Sequence, residues 1–126
     1  MTAAEFDRIV EQACRRIPAR FRKRLHNLAV TVAMEPSQAQ LARGRVGPGS
    51  TLLGLYEGRP LTRRSVFEPW SMPDRITIFQ KPHERLARSP EHLEELVAAT
   101  VWHEIAHYFG MDEAQVRAAE RKKRRY

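Results

Sequence analysis

At 126 residues, 42% of them hydrophobic, the chain has the length of one domain and can bury about two thirds of the surface its unfolded form exposes. No apolar run approaches the roughly 20 residues a membrane span needs, and the N-terminus MTAAEFDRIVEQA carries acids where a secretory leader carries bases. The single cysteine, Cys14, excludes an internal disulfide and a Cys-rich zinc module and suits a reducing, cytoplasmic setting, while the net charge of +7 leaves a basic surface to explain.

Residues 3–17 place Phe6, Ile9, Val10, Ala13 and Ile17 at helical spacing, with Thr2 as N-cap. Pro18 interrupts this helix, and Phe21 and Leu25 continue a short second turn. Leu28, Val30, Val32 and Met34 alternate along residues 27–34, which predicts a strand ended by Pro36. Residues 43–50, RGRVGPGS, read as a loop, and Leu52–Glu57 as a short strand. Residues 59–74 contain Pro60, Pro69 and Pro73 without a period. A loop of that length is often functional, and with Phe67 and Trp70 it is a candidate wall over a site. Residues 75–80, RITIFQ, form the clearest strand, and Pro82–Arg88 a helical turn.

Ser89-Pro90 opens the principal helix, with serine as N-cap and proline at the first helical position. The helix runs to about Phe109 and stops at Gly110, a left-handed C-terminal residue. Leu93, Leu96, Val97, Val101 and Ile105 are its expected core contacts. Asp112 then caps a final basic helix reaching about Arg124. The fold class is α+β, a single domain over residues 1–120 followed by a basic tail, 121–126.

The principal helix carries His103-Glu104-x-x-His107. Residues four apart on a helix lie one turn above each other, so two imidazoles at that spacing can reach one ion. Glu104 lies about 100° around the axis from His103, beside the ion without needing to ligate it. A carboxylate there can hold the attacking water and accept its proton, while zinc lowers a water pKa from about 15.7 toward about 7. A third protein ligand leaves one position open for catalysis. Gly110 can turn the chain back so that Glu113, three residues on, supplies an oxygen; Asp112 is the neighbouring candidate. Zn²⁺ is the expected cofactor, with Glu104 catalytic and His103, His107 and Glu113 as ligands.

The stretches LLGLYEG (52–58), PLTRRSV (60–66), PDRITIFQ (73–80) and TVWHEIAHYFGMDE (100–113) give the chain a further identity. Together they resemble the small bacterial zincin-like metallopeptidase family, whose motif is HExxHxxGxxD near the C-terminus. The resemblance spans nearly the whole chain. It implies a minimal zincin fold with a small mixed sheet packed on the active-site helix, zinc held by His103, His107 and the acid at 113, and Glu104 as general base. This chain has glutamate where the family usually has aspartate. It also departs from larger zincins, because thirteen residues follow Glu113 and none is methionine, so no methionine turn underlies the metal.

The expected activity is therefore zinc-dependent hydrolysis of peptide bonds, on a peptide or protein substrate, by a monomer. Zincin proteases commonly bind substrate as an added strand, and the candidate edges are Leu52–Glu57 and Arg75–Gln80. Tyr108, Tyr56 and Arg75 are candidates for oxyanion stabilisation, with packing the stronger expectation for Tyr108. His26, His83 and His92 lack partner spacing and read as surface residues. Cys14 reads as a small buried hydrophobe. The rival reading is a metal-stabilised binding or regulatory protein without catalysis. The basic clusters at residues 15–24 and 121–125 extend it to a nucleic-acid surface, although no Cys/His finger, GxxG loop or aromatic RNA-binding pattern accompanies them.

Overall fold

The computed structural model of the chain describes residues 1–25, 28–46, 50–58, 74–110 and 118. The N-terminal helix α1 (Ala3–Arg15) starts where Thr2 accepts a hydrogen bond from the Glu5 amide at 3.1 Å, and it buries Phe6, Val10 and Ala13. A one-turn helix α2 (Ala19–Arg22) follows at Pro18. Strand β1 (Leu28–Ala33), helix α3 (Gln38–Arg43) and strand β2 (Gly54–Glu57) lead to strand β3 (Asp74–Phe79). Helices α4 (Gln80–Leu86) and α5 (Pro90–Tyr108) complete the described order.

The sheet has the order β1-β3-β2, with β1 parallel and β2 antiparallel to the central β3. Leu28 pairs with Asp74 at one end of the β1–β3 ladder and Ala33 with Phe79 at the other. On the other side, Gly54 pairs with Ile78 and Glu57 with Arg75. The central position explains why β3 is buried at every residue except Arg75. It also corrects one expectation. Arg75–Gln80 is not an edge, because β3 is paired on both sides, and among the described residues β2 is the edge strand beside α5.

The core lies between the sheet and α5, with α1 laid across the helix. Ile76 and Ile78 meet Val97, Val101 and Ile105, while Phe6, Val10 and Ile17 close the other side. Burying a side chain of this size contributes about 1.5–3 kcal/mol, so this cluster is the main stabilising element. From Val97 to Tyr108 α5 is enclosed by the sheet on one side and by α1 and α2 on another, and only Ala99, His103 and His107 break its burial. Leu96, expected in the core, is only half-buried. No helix among the described residues is long and apolar enough to cross a membrane.

Two further corrections come from the middle of the chain. Residues 38–43, for which the sequence suggested no element, form α3, closed by a capping box in which Ser37 and Gln40 bond reciprocally. Helix α4 begins at Gln80 rather than Pro82. Proline fits in that first turn because its missing N–H has no intrahelical partner to lose. The earlier start turns His83 inward, so it is not a surface residue but fully buried against the Phe6 ring. The Phe79 carbonyl, 2.7 Å from His83 Nδ1, fixes that nitrogen as the protonated one. Nε2 then faces the Thr100 hydroxyl at 2.9 Å, whose one proton is shared between this nitrogen and the Leu96 carbonyl. His92 is half-buried and accepts from the Arg88 amide through Nδ1. Cys14 is likewise half-buried, and burial pushes its thiol pKa up. His26 lies outside the described residues.

Burial pushes the His83 pKa below the usual imidazole value, against the opposing effect of nearby backbone carbonyls. An unfolded histidine titrates near 6.5, so below about that pH the unfolded chain takes up a proton that the folded protein refuses. Above it His83 contributes nothing to the pH dependence. We therefore expect the urea midpoint of the metal-free protein to fall between pH 7 and pH 5, and His83→Gln to flatten that fall. Parallel pH profiles for the two proteins would refute the assignment.

Candidate metal centre

Helix α5 is built to hold its second half rigidly. Ser89 accepts from the His92 amide at 3.1 Å, Pro90 occupies the first turn, and Gly110 ends the helix with φ of 76°, a left-handed conformation that glycine adopts without steric cost. His103 and His107 project from the one open strip of this otherwise enclosed stretch. Their ring centroids are 4.6 Å apart, with the planes inclined at 65°. Glu104 faces the sheet side instead and is only 6% exposed. Its Oε1 is 3.6 Å from His107 Nδ1.

One donor atom from each of His103, Glu104 and His107 lies within 4.8 Å of the others, a spacing that lets them surround one ion. Two imidazoles this close suit a zinc ion, with the Glu104 carboxylate at its border. The structure thus brings together the three residues of the helical motif. Glu113 and Asp112 lie outside the described residues, as do Phe67, Trp70 and the rest of residues 59–73.

A cleft of about 640 Å³ opens in front of the histidines. Its lining on the α5 side includes Leu96, Ala99, Thr100, His103, Glu104 and His107. The opposite wall is the run Thr51–Tyr56, and the end of α3 at Arg43–Arg45 closes one side. Of the three oxyanion candidates, Tyr56 alone lines this cleft, and its hydroxyl donates to the buried Asp74 carboxylate. Tyr108 is buried with its ring 6.0 Å from that of Tyr56, which is a packing role. Arg75 is exposed and does not line the cleft.

Helix and sheet approach each other closely at Gly54. A Cβ there would stand 2.6 Å from Thr100 Cγ2 and 3.3 Å from Glu104 Cγ. Only a residue without a side chain lets α5 come near enough to seat Glu104 against β2. Sequence reasoning did not single out Gly54, Ala99 or Thr100. One clue was present: a glycine inside the apolar run LLGLYE marks a place where another element approaches closely.

Residues 25–123 match the sequence pattern of the zincin-like metallopeptidase family. The chain belongs to that family. Among solved structures it is similar to a conserved hypothetical protein from T. thermophilus, with 24% identity and a TM-score of 0.58 over 86% of this chain and 94% of that one. That likeness concerns the fold. No curated protein matches the chain.

The Gly54 contact makes a specific prediction. Gly54→Ala overpacks the interface and should cost about 1–3 kcal/mol of stability, read from urea unfolding. Adding Thr100→Ser removes the opposing methyl while keeping the hydroxyl that serves His83, so the double variant should recover much of the loss. Additive losses in the double variant would show that the contact is not the cause.

Proposed function

We propose that this protein is a zinc-dependent peptidase in which His103, His107 and an acid beyond Gly110 hold the ion and Glu104 is the general base. The observation that carries the proposal is the meeting of the two imidazoles with Glu104 at the wall of an open cleft. When bound, zinc would supply positive charge to polarise the scissile carbonyl and to make an attacking water acidic enough to ionise near neutral pH. Glu113 is the preferred third ligand, with Asp112 the alternative.

The chain's own residues then have distinct tasks. Strand β2 lines the cleft and, among the described residues, is paired on one side only, so an extended peptide laid along its other side can add to the sheet. That pairing would hold the scissile carbonyl beside Glu104. The Glu104 carboxylate accepts a proton from the water as its oxygen bonds to the carbonyl carbon. It returns that proton to the departing amine nitrogen as the C–N bond breaks, which leaves Glu104 as it began. Burial of Glu104 against Gly54 limits its rotamers and keeps it aimed at the site. The open cleft favours this reading over a metal site that only stabilises the fold.

Glu104→Gln should retain zinc at wild-type stoichiometry, measured by elemental analysis of protein purified without added metal. It should also lower peptide turnover by at least about 10²-fold. Undiminished turnover in that variant would end the mechanism. For the third ligand, Glu113→Gln should weaken zinc affinity by at least about tenfold in a chelator competition, and Asp112→Asn should not. The reverse ranking would transfer the role to Asp112.

A further inference from the structure

One end of the cleft is cationic. Helix α3 ends in a Schellman motif: the Val46 amide donates to the Leu41 carbonyl at 3.3 Å and the Arg45 amide to the Ala42 carbonyl at 3.2 Å. The left-handed position of that motif ordinarily takes glycine. Here it is occupied by Arg45, with φ of 54°, and the glycine falls one residue earlier, at 44. An arginine is thus kept in a conformation that its Cβ disfavours, at a place where its side chain borders the cleft. The neighbouring Arg43 is already paired with Glu57. Arg45 is exposed and has no ion-pair partner among the described residues.

The position of Arg45 relative to Glu104 follows from the packing. A Cβ on Gly44 would lie 2.9 Å from Leu52 Cδ1, so this turn sits beside Leu52. Leu52 precedes Gly54 by two residues, about 7 Å of extended chain, and Gly54 touches Glu104. Strand β2 runs in the same sense as α5, with Gly54 near Thr100 and Tyr56 near Tyr108. A peptide laid antiparallel to β2, the slightly stronger pairing, would run from the Tyr56 end toward Leu52. The residues following the cut bond would then approach Arg45.

We infer that Arg45 is a specificity-determining residue that binds a carboxylate one or two residues beyond the scissile bond, so the preferred substrates are acidic peptides. The carboxylate is either a Glu or Asp side chain or the C-terminus of a short peptide. The inference rests on the peptidase reading above, and its test separates the two. The zinc-loaded protein is incubated with a mixed peptide library and the cuts are mapped by mass spectrometry. Wild type should favour Asp, Glu or a free C-terminus at the first or second position after the cut. Arg45→Gln should weaken that preference about fivefold, and Arg45→Glu should reverse it toward Lys and Arg. Raised salt should erode the wild-type preference, because the contact is exposed.

Arg45→Gly relieves the left-handed backbone, so it should keep or raise the melting temperature while losing the acidic preference. That combination distinguishes substrate recognition from a structural role. An unchanged cut-site pattern in Arg45→Glu would overturn the inference while leaving the peptidase reading intact. Should the wild type cut nothing, the peptidase reading fails and binding decides the rest. A fluorescein-labelled acidic peptide would then be compared with its Gln-for-Glu counterpart on Glu104→Gln protein by anisotropy. Tighter binding of the acidic peptide that disappears on adding Arg45→Glu supports the carboxylate site, and equal binding of the two peptides overturns it.

Discussion

The arrangement depends on one close contact, between helix α5 and edge strand β2 at Gly54. Because this residue has no Cβ, the Thr100 methyl and the Glu104 methylene reach the strand backbone directly. The same approach buries Glu104 and leaves the two histidines, on the adjacent strip of the helix, facing the cleft. A side chain at position 54 would force the helix outward and widen the spacing between Glu104 and β2.

The interface is tuned by polar groups as well as by shape. Thr100 Oγ1 lies 2.9 Å from both His83 Nε2 and the Leu96 carbonyl, and these contacts hold the side chain in the rotamer that points its methyl at Gly54. His83 in turn is anchored by the Phe79 carbonyl at the junction of β3 and α4. Burying an imidazole is favourable only when its nitrogens are satisfied, and both are. Helices α4 and α5 are thereby fixed to each other one turn before Glu104. Tyr56 and the buried Asp74 provide a part-buried polar pair near the other end of the cleft.

The family match covers both the motif-bearing helix and the short segments that wall the cleft. Among the described residues, the motif-bearing half of α5 is supported by β2 and by its enclosure between α1, α2 and the sheet. Phe21 wedges against both Trp102 and Phe109, at centroid distances of 5.2 and 5.4 Å, so the back of the helix is held by aromatic packing. Arg20 and Arg24 lie over the Phe21 and Phe109 rings, which gives part of the basic cluster at residues 15–24 a packing role.

The elements with strong local rules were legible in the sequence. Ser89-Pro90 and Gly110 bracket α5 because a cap, a fixed φ and a left-handed stop are each properties of one or two residues. The His103–His107 proximity follows from helical periodicity alone. The alternation in β1, the apolar stripe of α1 and the strand character of Arg75–Phe79 were readable for the same reason. What the sequence left open depended on partners distant along the chain. Pairing in the sheet made β3 central and β2 the edge, a choice that no local pattern encodes. His83 looked like an isolated surface histidine because its hydrogen-bond partner, Thr100, is seventeen residues away and meets it only after α4 folds back onto α5. Gly54 and Arg45 gained their importance in the same way. A glycine's lack of a side chain matters only when another element arrives to use the space, and that arrival is decided by tertiary packing.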